Sequence, residues 1–335
     1  MSIVALAAAA GATATSANAG AFAVREQSAY YQGMSFAGSA VGDELSSMFW
    51  NSAAAAAAPG MNTETHVTLV IPHAEIEATG GALVDVFGLD RDSGSIGDPT
   101  AVPASYANYQ VSDRLFLGLA INGQYGFTTK PENPDFAGTP IATTSKIFSI
   151  NFNPTVAYKV SPELTIGVGA QIMYADLRLR SSNSEAITGT LTGGQIISGG
   201  RTTEADDVGF GATAGVMWKP LPGTTIGIGY RSAIELEGKG TCTGFGLSNL
   251  AAGPFGAECL VGVGVTADLT LPDMVTASIR QRVDERWTVL GTVEWTNWSR
   301  VGSEAEFKDS DGNVVDVFPL GYDDGWFFSV GAEYA

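Results

Sequence analysis

The sequence predicts an all-β fold, an antiparallel transmembrane β-barrel preceded by a plug. Three observations predict it. Side chains alternate with a period of two along most of the chain, the connections alternate between short and long, and no stretch is apolar for long enough to cross a membrane as a helix. In hydrocarbon every backbone N–H and C=O must be paired within the protein, so a chain without such helices spans only as a barrel.

The alternation is clearest in the middle of the chain. Leu115, Leu117, Leu119 and Ile121 alternate with Phe116, Gly118, Ala120 and Asn122. Phe148, Ile150, Phe152 and Val156 alternate with Ser149, Asn151, Asn153 and Thr155. Leu164, Ile166, Val168, Ile172 and Tyr174 alternate with Thr165, Gly167, Gly169, Met173 and Ala175. Successive strand residues point to opposite faces, so each segment has one large apolar face and one small or polar face. Several apolar faces finish in an aromatic, as at Tyr158, Tyr174, Trp218 and Tyr334, which suits an interfacial girdle.

Short polar turns fall at 111–114, 160–163, 219–223 and 283–286. Long linkers fall at 80–103, 127–146, 181–206, 238–266 and 301–323. Tight turns at one end and long loops at the other are the habit of outer-membrane barrels. Between the connections about ten strands are predicted, near 65–79, 104–111, 114–126, 147–159, 164–180, 207–218, 224–237, 267–282, 286–299 and 325–335. Residues 20–62 differ. Their Ala-rich stretch, Ala53 to Ala58, ends at Pro59-Gly60 and reads as short helices and loops. Its apolar side chains need cover, which a barrel lumen supplies. The domains expected are therefore a plug at 20–62 and a barrel at 63–335.

Residues 1–19 are apolar and small and end in Ala17-Asn18-Ala19 before Gly20, the pattern of a signal peptide and its cleavage site. Export makes a disulfide between Cys242 and Cys259 the natural expectation, against two free loop thiols. With two cysteines and two histidines in 335 residues, no metal site is expected. The net charge of −18 excludes nucleic acid as a partner. No cofactor is expected either: the Gly-x-Gly pairs at Gly167, Gly209 and Gly262 do not open a helix after a strand. Asp309-Ser310-Asp311-Gly312-Asn313 has its glycine misplaced for a calcium loop, and Asp311-Gly312 reads as a hairpin tip. His66 and His73 lack any nucleophile motif, so the chain is not read as an enzyme.

Several short matches occur in order along the chain. They are Gly20-Ala21-Phe22-Ala23-Val24-Arg25-Glu26-Gln27, Asn51-Ser52-Ala53, Gly118-Leu119-Ala120-Ile121-Asn122-Gly123-Gln124-Tyr125-Gly126, Trp218-Lys219-Pro220, Gly229-Tyr230-Arg231-Ser232, Leu271-Pro272-Asp273-Met274 and Glu294-Trp295-Thr296-Asn297-Trp298. Together they resemble the FadL family of outer-membrane transporters for long-chain fatty acids and other hydrophobic compounds. The resemblance implies a barrel of fourteen strands in the Gram-negative outer membrane, with a mostly helical hatch in its lumen. About ten strands are read here, so the resemblance implies that the last four are missing and the chain is C-terminally truncated. It also implies passive transport: a hydrophobic molecule binds in the lumen and leaves sideways through a gap made by an inward kink of the third strand. That kink falls at Asn122, Gly123 and Gly126. The family's hatch motif is Asn-Pro-Ala, whereas this chain has Asn51-Ser52-Ala53, without the proline that would fix the backbone angle.

Ligand-binding candidates follow from parity and chemistry. Arg231 and Arg280 share parity with small residues and should face the lumen, because arginine facing mid-bilayer lipid costs ~2–4 kcal/mol. Either could meet a fatty-acid carboxylate, although pairing with a neighbouring acid is the commoner use. Phe22, Val24, Phe36 and Phe49 could line a greasy pocket or pack the hatch against the wall. The partners expected are a hydrophobic small molecule, outer-membrane lipid and lipopolysaccharide, around a monomer. The alternatives are uptake of aromatic hydrocarbons, a structural or adhesive barrel, or a general porin. A porin calls for rings of charge that the inward faces here lack.

Overall fold

The computed structural model describes residues 21–182, 200–244, 259 and 262–334. The expected signal peptide at 1–19 lies outside the described residues. In chain order the strands are β1 (Met61–Val70), β2 (Glu75–Glu77), β3 (Asp92–Ser95), β4 (Thr100–Gln110), β5 (Leu115–Asn122), β6 (Gly126–Thr129), β7 (Thr144–Lys159), β8 (Leu164–Arg180), β9 (Thr202–Trp218), β10 (Thr224–Arg231), β11 (Ile234–Thr243), β12 (Val263–Leu271), β13 (Met274–Arg282), β14 (Trp287–Thr296), β15 (Glu304–Lys308), β16 (Val314–Pro319) and β17 (Gly325–Tyr334). The wall is a single antiparallel path, β1-β4-β5-β7-β8-β9-β10-β13-β14-β17, so the ten expected strands are present in their expected order. Among the described residues β1 pairs with β4 alone and β17 with β14 alone, leaving these two as the edges of the sheet.

The two faces of the wall are inverted relative to a water-soluble sheet. Ile166, Val168, Ile172 and Tyr174 are exposed, while Thr165, Gly167, Gln171 and Met173 between them are buried. Phe210 is 70% exposed and Phe328 71%, values that water would penalise and lipid tails reward. Tyr109, Tyr158, Trp218 and Trp287 are exposed beside the short turns, where an interfacial girdle belongs. At the turn before Trp287, Asp284 accepts the N–H groups of Arg286 and Trp287, both at 2.7 Å, which hold its carboxyl below the usual carboxylate range.

Residues 21–60 lie against the inner face. This hatch holds one short α-helix, Ala29–Gly33, and two 3₁₀ turns, Leu45–Phe49 and Ser52–Ala56, and is mostly irregular rather than mostly helical. It touches both edge strands: Ala29 N–H donates to His66 of β1, and Phe36 packs on Phe327 of β17. It also touches β13 and β14, through Ala40 to Ser278 and Gly38 to Thr292. One short segment reaches both edges only because the sheet curls around it.

The structure corrects several expected strands. The first is Met61–Val70 and stops before Pro72; β2 and β3 form a separate small hairpin. The segment expected at 224–237 breaks at Ser232-Ala233, where the chain carries one residue more than β9 opposite. The one at 267–282 breaks at Pro272-Asp273, since proline has no N–H for the ladder. The expected loop 301–323 contains the β15–β16 hairpin, with Asp311-Gly312 at its tip.

The outer parts of β11, β12 and β15 form a second apolar cluster with Phe307, Phe318 and Trp298. Cys242 and Cys259, both buried members of this cluster, are bonded to each other, 17 residues apart in sequence. Closing a loop of this length is worth about 3 kcal/mol to the outer hairpin in the chain-entropy account. Cys242→Ser should therefore speed proteolytic nicking within 238–266 while the barrel keeps its heat-resistant mobility on a gel. Unchanged nicking would show that the bond does not hold this region.

Candidate functional site

The third strand of the wall is interrupted. β5 pairs with β7 up to Asn122↔Asn151, and β6 resumes the pairing at Gly126↔Phe148. Three residues, Gly123, Gln124 and Tyr125, therefore oppose two, Ser149 and Ile150. One extra residue is a β-bulge, which bends its strand and switches the face that following side chains meet. Asn122 is buried on the inner face before it, and Tyr125 after it. The sequence points to glycine as the cause of the kink. Neither Gly123 nor Gly126 has a positive φ, and a Cβ would meet nothing closer than 3.4 Å at Gly123 and 3.6 Å at Gly126. The extra residue, not glycine's freedom, makes the bend.

The bend opens a window. β4 pairs with β5 only as far as Ala104↔Asn122; beyond that, β4 and β6 part. The gap closes again at an isolated bridge, Gly97↔Thr129. A cavity of about 540 Å³ fills it. Ile121, Phe148 and Ile150 from the lipid-facing side line this cavity, together with Tyr125, Ile147 and Ser149 from the inner side. It is therefore lined from both faces of the wall. Its charged lining is Glu26, Asp98 and Lys146, the last 3.8 Å from Asp176.

The start of the hatch pairs with the bulge. Val24 N–H donates to the Gln124 carbonyl at 2.9 Å, and Gly126 N–H to the Phe22 carbonyl at 2.9 Å. Gln27 donates its side-chain amide to the Gly123 carbonyl at 2.6 Å. These contacts satisfy backbone groups that the broken ladder leaves without strand partners, a need that hydrocarbon enforces. Of the sequence candidates, Val24, Asn122, Gly123 and Gly126 line the cavity. Phe22 adjoins it, in a ring cluster with Tyr125, Phe127, Trp298 and Tyr322.

The other candidates lie elsewhere. Asn51-Ser52-Ala53 meets β8 and β9 rather than the bulge. Asn51 caps the Ser52–Ala56 turn by accepting from Ala53 N–H at 3.0 Å, and donates to the carbonyls of Ala40 and Val216. Ser52 donates to Thr213 at 2.6 Å, so the hydroxyl that stands in place of proline anchors the turn to the wall. Phe36 and Phe49 both pack on Trp50 between hatch and wall. Arg280 pairs with Asp43 of the hatch at 3.1 Å and Glu333 of β17 at 2.8 Å. Arg231 is 1% exposed and donates to Phe49, Gln124 and Gln171, none of them acidic. Sequence reasoning missed Gln27, Gln124 and Lys146. A run of Asn-Gly-Gln-Tyr-Gly inside an apolar strand was the one signal for Gln124.

Residues 10–335 match the family described as outer membrane protein transport protein (OMPP1/FadL/TodX). The long-chain fatty acid transport protein of Escherichia coli K12 is 23% identical over 279 residues, covering 70% of this chain and 61% of that protein. Outer membrane protein P1 of Haemophilus influenzae is 24% identical over 353 residues, covering 95% of this chain and 74% of its own. The chain thus spans about three fifths of the length of the first of these curated relatives. Among solved structures, a Pseudomonas aeruginosa FadL homologue superposes with TM-score 0.72 at 21% identity, over 94% of this chain and 78% of that one. The Ralstonia pickettii toluene transporter TbuX superposes with TM-score 0.63 at 18% identity, over 91% and 81%.

Proposed function

The chain belongs to the outer membrane protein transport family (OMPP1/FadL/TodX), and from that membership we propose that it passes hydrophobic molecules through the outer membrane by lumenal binding and lateral exit. The observation that carries this reading is the cavity between β4 and β6, which is lined from both faces of the wall. A molecule in it touches lumenal and lipid-facing side chains at once. It can leave into the bilayer without crossing the polar surface layer. No energy source is needed, because transfer of apolar surface out of water drives the step.

The substrate we favour is a long-chain fatty acid. A cavity of about 150 Å³ already holds benzene, and about 540 Å³ has room for an extended chain. Lys146 stands at the outer rim, where a carboxylate would rest while its tail lay along Ile121 and Ile150. The second reading is an aromatic hydrocarbon. It is supported by Glu26 and Asp98 in the same lining, which repel a carboxylate but are indifferent to toluene. The deciding experiment is uptake of labelled oleate and labelled toluene into liposomes bearing the full chain. Saturable oleate uptake above empty liposomes is expected. Toluene uptake alone would move the assignment to the second reading. Uptake of neither, or conductance of small hydrophilic solutes instead, would return the protein to a structural barrel or a porin.

A further inference from the structure

One buried charge gathers its partners from three separate parts of the chain. Arg231 ends β10 and faces inward. Its Nη1 donates to the Phe49 carbonyl at 2.9 Å, and its guanidinium lies over the Phe49 ring, 4.8 Å from the centroid. Its Nη2 donates to Gln171 of β8 at 2.6 Å and to Gln124 of the bulge at 3.1 Å. These neutral oxygens stand in for the water that burial removed. A buried cation tolerates the loss of any one of them poorly.

The network continues outward from both amides. Gln124 donates to the Tyr125 hydroxyl at 3.0 Å, which donates to the Pro272 carbonyl at 3.2 Å, where β12 gives way to β13. Gln171 donates to the carbonyls of Ala212 in β9 and of Ser232, where β10 gives way to β11, both at 3.3 Å. The start of the hatch reaches the bulge through its own backbone, but its later turn reaches it through Arg231. Phe49 immediately precedes Trp50 and the Asn51-Ser52 anchor, so movement there shifts the whole Ser52–Ala56 turn.

We propose that Arg231 is the positioning residue that couples the hatch to the window. Displacing Phe49 draws the guanidinium from Gln124 and loosens the bulge; loosening the bulge releases the hatch in turn. The proposal rests on the transport reading above, but its test does not require transport. Lysine would serve poorly, because one ammonium lacks the planar fork that reaches separate acceptors.

The test uses cysteine labelling at both ends of the coupling in the full chain, with the native cysteines left as they are. Ser52→Cys reports the hatch and Gly123→Cys the window, each read with a membrane-impermeant maleimide. Arg231→Gln should raise labelling at both positions about tenfold, the scale of a lost charge-assisted hydrogen bond. Arg231→Lys should fall between Arg231→Gln and the parent. Gln124→Leu should raise labelling at Ser52→Cys in the parent and add nothing in the Arg231→Gln background. A purely structural arginine would give multiplying effects in the double variant, and that result overturns the proposal. Labelling that rises at one end alone overturns it as well. Heat-modifiable gel mobility identifies variants whose barrel has assembled, and Gln124→Leu keeps the question answerable if Arg231→Gln does not assemble. Failure of oleate and toluene uptake by the parent would sink the transport reading and leave this coupling intact.

Discussion

Gly229→Ala is expected to expel the hatch from the wall. A Cβ at Gly229 would fall on the carbonyl oxygen of Trp50 and 3.0 Å from the Asn51 Cα. Both atoms are backbone, held by the Asn51 side chain's bonds to Ala40 and Val216, so neither can rotate away. Neighbouring positions repeat the arrangement: a Cβ at Gly227 would meet the Ala40 carbonyl, and one at Gly167 the backbone of Ser52 and Ala53. Two strands, β8 and β10, have given up these three side chains so that hatch backbone can touch the wall. The cost of overpacking such a contact lies at or above the upper end of ~1–3 kcal/mol, and it falls on the Trp50-Asn51 backbone that ties the Ser52–Ala56 turn to β9. Limited proteolysis should cut within 21–60 in Gly229→Ala and spare the parent. Gly264→Ala is the control, since a Cβ there meets nothing within 4 Å. Equal protection in both variants would show that the hatch yields to the wall, and that its seat is not set by these glycines.

The same glycines explain how much could be read without a structure. Period two was legible because lipid on one side and packed hatch on the other impose opposite demands on successive residues, as at Val168 and Gly167. Inward parity alone placed Arg231 and Arg280 correctly, because a guanidinium facing lipid is too costly. Parity could not name their partners. Asp43 is near Arg280 only through the path of an irregular hatch, and an irregular path has no period to read. The break at Pro272 had a visible cause in the missing N–H. The bulge at Gly123-Gln124-Tyr125 had none, since one extra residue changes neither composition nor hydropathy and is defined only against the strand opposite. The expected kink in the third strand rests on the family resemblance, and the glycines there suggest a cause that the register replaces with the extra residue.

Deleting Gly123 is the direct test of that cause, and should abolish uptake. Asn122↔Asn151 and Gly126↔Phe148 enclose three residues on one strand and two on the other. With one removed, β5 and β6 become a continuous strand in register with β7. The parity of every later residue is kept: Tyr125 and Phe127 stay inward and still meet Phe22. The straightened strand can then continue its ladder with Thr100–Pro103 of β4, where the cavity now lies. Pro103 lacks an N–H, so one rung stays open, but side chains fill the space. Replacing Gly123 and Gly126 by valine is a weaker change, because both positions have room for a Cβ and the extra residue remains. The expected order of uptake is therefore parent, then the double valine variant close behind, then the deletion at background if the window is the sole exit. Assembly of all three is checked by heat-modifiable mobility. Parent-like uptake by an assembled deletion variant would mean that substrate leaves by another route, and the lateral window would lose its function.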